Sequence, residues 1–362
     1  MTIFSPKTRS ETTNMPTIRD QDHEYRDHDY IETPEGWIFC VVSDNHPPGR
    51  VMAFLKYMPG DGKWSRDGQR YTRVVKSYTM EEIVYSIDLL KKVNQRYVHY
   101  DETIGETFTY IPLGAVERHY RCEERFSEIL ENNDFYFSAK CRELANILES
   151  SLDVRREFLG LTGSLLVGLH NPHADIDLIV YGGDNFWRIA SGINELQSQH
   201  DRESIVSAFT KSLLKRYPLT LEDAQLLASR LRNRGIVSGT LYSVHAVKFV
   251  EEITERYGDK LYKSMGVAKT KLTIINSKDS CFTPAVYEVE GEEKIGGRRV
   301  EIKTLTCYDT TFSSLFHAGD VVEVLGKIEL VKDRRQDKEY LNILIGSQAA
   351  MGREYIRLLK EA

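Results

Sequence analysis

Five cysteines in 362 residues, Cys40, Cys122, Cys141, Cys281 and Cys307, supply neither a disulfide framework nor a zinc ribbon. They lie far apart, are odd in number, and none stands in a CxxC or CxxH pair. No window approaches the roughly 18 uninterrupted apolar residues of a membrane span. The opening stretch, MTIFSPKTRSETTNMP, has no apolar h-region. The expectation is a cytoplasmic protein with reduced thiols and no membrane partner. Proline is scarce at 10 and glycine ordinary at 24, which excludes a collagen-like or low-complexity chain. Positive charge is also short: 48 Lys and Arg against 54 Asp and Glu give a net charge of −6. That balance excludes a chain that grips nucleic acid over its whole surface, although a basic groove on one domain would not show in the total. What is present is ordinary globular material, 41% hydrophobic and 28% charged, enough for two or three cored domains.

The pattern along the chain divides it. Residues 1–16 read as a polar tail. From Ile18 to Val75, short runs such as Trp37–Val42 and Val51–Tyr57, separated by Pro47-Pro48-Gly49 and Pro59-Gly60-Asp61-Gly62, predict strands. Met80, Ile83, Ile87 and Leu90 then recur at helical spacing, and Thr79 with Glu82 would form a capping box. These features make 17–120 a β-rich module with a helix. Residues 121–270 form a core: helices over Glu123–Glu131 and Phe135–Ser150, a strand ending at Leu161, a short helix over Leu165–Leu169 and a strand Ile176–Tyr181. Helices over 184–198, 203–216 and 221–232 follow, then a strand Leu241–Phe249 and a helical stretch to Tyr257. Residues 271–362 return to strands at 272–275, 285–289, 299–305, 321–330 and 341–345, with a closing helix over Met351–Lys360. Short strands at that spacing predict a barrel-like module.

One stretch carries chemistry. Gly163-Ser164 lies at a strand–helix junction, where free N–H groups suit a phosphate and glycine permits close approach. Asp175-Ile176-Asp177 follows, and on a strand the two aspartates share a face. Adjacent carboxylates repel unless a cation sits between them; a hard divalent ion held by one or two carboxylates and by phosphates answers that need. A phosphate cradle beside a metal-holding carboxylate pair suits nucleotidyl transfer. The plainer reading is a solvated pair of aspartates after a tight turn.

Gly163, Ser164, Asp175 and Asp177 resemble the Gly-Ser…Asp-x-Asp signature of the polymerase-β-like nucleotidyltransferase superfamily. The arrangement is also similar to uncharacterised archaeal nucleotidyltransferase-domain proteins, through Thr33–Phe39, His46–Val51 and Phe282–Tyr287. The resemblance implies an α+β fold with a polymerase-β-like core between an N-terminal β-rich, helical module and a C-terminal barrel. It further implies Mg²⁺ or Mn²⁺ held by Asp175 and Asp177, both catalytic. A nucleoside triphosphate would lie at Gly163 and Ser164, and an RNA, protein or small-molecule hydroxyl would accept the NMP. The alternative is a catalytically lapsed fold that binds nucleotide or nucleic acid in a regulatory role.

Superfamily enzymes add a third carboxylate on a later strand. The strand expected to bear it, Leu241–Phe249, offers Ser243, His245 and Val247 at its central alternating positions and no acid. His245 as a base or ligand, Asp279 in the Ser277–Ser280 turn, and Glu251 or Glu252 are the candidates. His170 and His173 flank Asn171-Pro172 before the aspartates. They read either as contacts to a triphosphate or metal, or as polar turn residues. Arg230, Arg232 and Arg234 read as a phosphate-binding cluster or as cations at a helix C-terminus.

Overall fold

A computed structural model describes residues 15–133, 135–295 and 298–362. It is a mixed α+β structure with three sheets and seven helices among the described residues.

The first sheet forms from β1 (Tyr30–Glu32), β2 (Ile38–Val41), β3 (Arg50–Arg66) and β4 (Gln69–Arg73), then, after α1 (Met80–Val93), β5 (Val98–Asp101), β6 (Glu106–Pro112) and β7 (Arg118–Tyr120). Its order is β5-β6-β3-β2-β1-β7, antiparallel throughout, with β4 paired to the far half of β3. The β3–β4 hairpin turns at Asp67-Gly68, both at positive φ, as a two-residue turn between twisted strands requires. The capping box expected at α1 does not form. Thr79 makes no side-chain cap; Glu82 reaches past it to accept the Lys76 N–H at 2.7 Å, and also the Ser77 N–H.

The middle of the chain supplies α2 (Cys122–Glu131), α3 (Ser138–Leu152), β8 (Leu159–Leu161), α4 (Gly163–Leu166), β9 (Ile176–Tyr181), α5 (Gly183–Gly192), α6 (Gln199–Arg216), α7 (Leu221–Ser229), β10 (Arg234–Val237) and β11 (Thr240–Val247). The sheet order is β10-β11-β9-β8, with β9 and β11 parallel and the outer pairs antiparallel. Alternation along β9 divides its side chains. Ile176, Leu178 and Val180 pack with Phe126, Leu144 and Phe186 of the helices, while Ile179 and Tyr181 pack with Tyr30, Phe54 and Tyr57 of the first sheet. Asp177 belongs to this second face. The helix expected up to Tyr257 is only a single 3-10 turn at Val250–Glu252.

The last sheet comprises β12 (Lys260–Asn276), β13 (Ala285–Ile295), β14 (Arg298–Cys307), β15 (Val321–Asp333), β16 (Lys338–Ile345) and β17 (Tyr355–Lys360). The circuit β12-β13-β14-β16-β15 closes because β15 also pairs with β12, giving a five-stranded barrel in which only β14 and β16 are parallel. Its first strand begins at Lys260, not after Lys271, since Lys260 already pairs with Asp333. The helix expected over Met351–Lys360 is β17, whose residues pair with Val321–Leu325 and alternate inward at Ile356 and Leu358. Ile205, Phe209, Leu213 and Leu227 of α6 and α7 share the barrel's core.

Candidate functional site

The turn after β8 is built around close backbone approach. The Thr162 N–H donates to the Asp177 carbonyl at 2.9 Å, and its hydroxyl donates to the His28 carbonyl at 2.7 Å. Gly163 follows at φ +69°, and a Cβ there would stand 2.4 Å from Asp177 Oδ2. Glycine is therefore required by the aspartate itself, a closer constraint than the phosphate approach inferred from sequence. Ser164 is half-buried in α4, which has a single turn and so a small dipole.

Asp175 precedes β9 and is exposed; Asp177 lies on the strand, partly buried. Partial desolvation raises the Asp175 pKa, Asp177 raises it further, and Arg234 opposes both. In the sheet, Asp177 pairs in register with Ser243 of β11, which pairs with Arg234 of β10, so the three form one row. Ser243 Oγ donates to Asp177 Oδ1 at 2.8 Å and lies 2.9 Å from His245 Nε2. With its one proton committed to Asp177, the hydroxyl accepts from an Nε2–H of His245, which leaves Nδ1 as the imidazole's acceptor. Burial drives the His245 pKa well down, and His28 and Arg234 push in the same direction, so the ring is neutral. The His28 ring lies 4.9 Å away, centroid to centroid.

Gly163, Ser164, Asp175, Asp177, His173, His245, Arg234 and Asp279 all line one cavity of about 920 Å³. Asp279 sits exposed in a 3-10 turn at Lys278–Cys281, and among the described residues no three His, Cys, Asp or Glu side chains gather as a metal site. Glu251 accepts the Thr17 N–H, and Glu252 accepts those of Phe249 and Gly183, so both are spent on backbone. His170 is packed edge-on against Phe135 and Phe137, at 5.0 and 5.7 Å, and is not among the cavity-lining residues. His173 is exposed at the cavity, its N–H donating to Asn171 Oδ1. The arginine cluster separates: Arg230 pairs with buried Asp320, whereas Arg234 lies over Phe209 and faces the aspartates, so a solvated helix end describes neither.

Sequence reasoning missed the other walls. The first sheet contributes Tyr30, Phe54 and Arg73, the segment between β4 and α1 contributes Tyr78, and the barrel with the residue after β14 contributes Tyr262, Glu329, Asn342 and Tyr308. On the barrel wall, Thr304 and Thr306 donate to Asn342 Oδ1, and Asn342 donates to Glu329 at 3.0 Å, a closed polar network. The described lining holds eleven carboxylates against six Lys and Arg side chains, so an anionic ligand must find its cations locally.

No family model and no solved structure matches the chain. Over 341 residues it is 32% identical to an uncharacterised protein, MJ1086, of Methanocaldococcus jannaschii, an alignment covering 91% of this chain and 98% of the relative. No helix among the described residues is long and apolar enough to cross a membrane.

Proposed function

The chain belongs to the family of that archaeal protein, and we propose that it is a nucleotidyltransferase with a polymerase-β-like core. It takes a nucleoside triphosphate against Asp175 and Asp177 and transfers the NMP unit to a hydroxyl acceptor. One observation carries the reading: Asp177, pressed against the Gly163 turn, and Asp175, whose pKa it helps to raise, face a cavity large enough for nucleotide and acceptor together.

The donor set fits a divalent cation. Desolvation and then the Asp177 charge raise the Asp175 pKa, a cation between the carboxylates would relieve that repulsion, and Mg²⁺ is commonly held by one or two carboxylates with phosphates. Asp175 and Asp177 would hold Mg²⁺ or Mn²⁺, which when bound supplies charge neutralisation at the phosphates. The chain's own groups do the rest. Ser243 fixes the Asp177 carboxylate, Arg234 adds positive charge along the same row, and neutral His245 offers Nδ1 as a hydrogen-bond acceptor. In the transfer, an acceptor oxygen bonds to the α-phosphorus, the bond from that phosphorus to pyrophosphate breaks, and the acceptor's proton leaves to a base.

A second reading, a lapsed enzyme that only binds nucleotide, is favoured by Ser243. It stands in register with Asp177, on the strand where the superfamily's third carboxylate is expected. Nucleic acid as partner gains little support from the barrel. Exposed Glu288, Glu290 and Glu292 alternate along the outer face of β13, a ridge that repels a polyanion.

Incubation with each α-labelled NTP, Mg²⁺ or Mn²⁺, and RNA, protein and small hydroxyl acceptors tests the proposal. Transfer lost in Asp175→Asn and Asp177→Asn supports the enzyme. Nucleotide binding without transfer across the panel leaves the lapsed reading, and no binding at all sinks both.

A further inference from the structure

Lys56 is the one extra residue in a β-bulge of β3. Ile38 of β2 opposes Tyr57, and Phe39 opposes Leu55, so Lys56 has no partner in the register. Bulges re-aim side chains, and this one turns a lysine into the interior: it is 1% exposed. Its ammonium nitrogen has no hydrogen-bond partner among the described residues, an arrangement that costs free energy unless something completes it. It rests 3.4 Å from the centroid of the Tyr78 ring. Tyr78 is itself held at φ +54°, a left-handed conformation that a bulky residue rarely adopts, and it is 44% exposed on the cavity wall.

A second cation shares that ring. The Arg73 guanidinium lies 5.9 Å from the Tyr78 centroid, lines the cavity, and donates to two backbone carbonyls, Val75 at 3.1 Å and Lys76 at 2.8 Å. Burial pushes the Lys56 pKa well down and the Arg73 charge adds to that, against the weaker pull of Cys40, Asp177 and Glu82. Arg73 and Tyr78 line the cavity, and Lys56 lies against the Tyr78 ring with its nitrogen unpartnered among the described residues.

We propose that Lys56 and Arg73, gated by the Tyr78 ring, are the binding site for the pyrophosphate end of a phosphate ligand. The inference rests on the nucleotide reading for the identity of that ligand, but the anion site stands on its own geometry. Polyphosphate is the ligand class chosen because its several charged oxygens can accept from an ammonium and a guanidinium together. The site also supplies what one-turn α4 cannot: lysine and arginine donors beside a cavity whose charged lining is mainly acidic.

Inorganic pyrophosphate, ATP and AMP are the probes, titrated calorimetrically into the full-length protein with and without Mg²⁺. Lys56→Met is expected to weaken pyrophosphate and ATP by about tenfold or more and to leave AMP within about twofold. Pyrophosphate and ATP affinities within about twofold of the wild type would overturn the site. If circular dichroism shows that Lys56→Met does not fold, Arg73→Gln is compared with the wild type in the same way, and the same affinity changes support or overturn the site. Pyrophosphate bound through Lys56 with no nucleotide bound keeps the site and removes the nucleotide reading. ATP bound independently of Lys56 does the reverse, and a wild type that binds neither probe overturns both.

Discussion

Ser243 Oγ lies 2.8 Å from Asp177 Oδ1, across a parallel strand pair in which the two residues are in register. A side chain at 243 therefore shares its face with Asp177 and is held beside it. Ser243→Asp would add a carboxylate beside Asp177 in the same row. Without divalent ions it should destabilise the protein by about 1–3 kcal/mol, because a hydrogen bond is lost and a like charge gained. Mg²⁺ or Mn²⁺ should restore the melting temperature in the variant far more than in the wild type. Melting curves in chelator and in metal decide it: a variant indifferent to metal means that this row cannot hold a cation.

Gly163 constrains the same carboxylate from the other side. Gly163→Ala places a methyl 2.4 Å from Asp177 Oδ2 at φ +69°, so both backbone strain and a clash oppose it. A loss of about 1–3 kcal/mol is expected, together with displacement of Asp177 and weaker nucleotide binding. A variant as stable and as competent as the wild type would mean that the turn relaxes freely.

The first sheet is riveted to the core through Asp29. It is fully buried, accepts from Arg19 at 2.8 Å and lies 2.8 Å from His119 Nε2, while Arg19 also donates to Glu123 of α2 at 2.9 Å. Burial alone would raise its pKa, but Arg19 and His119 outweigh burial and bring it down to about 2. A depressed carboxylate stabilises the fold above its unfolded pKa of about 4 and loses that contribution as pH falls towards 2. Asp29→Ala should cost about 3–5 kcal/mol at pH 7 by removing one of the two carboxylates that hold the largely buried Arg19, and the deficit should narrow as the wild type is acidified from pH 4 to 2. Urea denaturation across that range measures it; a deficit independent of pH would mean the loss is packing alone.

Local patterns make the centre of the site legible and leave its walls hidden. The Gly163-Ser164 turn and the aspartates lie within about fifteen residues, and the strand–turn–helix order there follows from adjacent apolar runs and glycine. The alternation in Leu241–Phe249 already names Ser243 and His245 as the residues facing that way. Lys56 carries no signal, because a bulge is set by pairing with β2, distant in sequence. Arg234 reads as a helix end because β10 is four residues long and follows close behind a helix. β17 reads as a helix because Met351, Tyr355 and Leu358 fit helical spacing too; pairing with β15 selects the two-residue period instead. Glu82 turns from a capping partner to the N–H groups of residues 76 and 77 for the same reason, a tertiary alternative stronger than the local one.

Asp27, two residues from Asp29, should respond to pH in the opposite sense. It is 4% exposed and lines the cavity; Oδ1 accepts the Ser43 N–H at 3.0 Å, while Oδ2 has no hydrogen bond among the described residues and lies 3.4 Å from His28 Nε2. Burial pushes its pKa up to about 6. A carboxyl whose folded pKa exceeds its unfolded value of about 4 favours the fold most below pH 4. Stability falls as pH rises from 4 to 6 and stays at the lower level above that, a difference of about 3 kcal/mol at most. Asp27→Asn keeps an oxygen for Ser43 and removes the charge. It should therefore be more stable than the wild type at pH 7.5 and converge with it near pH 4. Denaturation midpoints at pH 4, 6 and 7.5 test this. An asparagine variant that is less stable at every pH would mean that the ionised carboxylate is held by His28, so that the cavity maintains a charge there at no net cost to the fold.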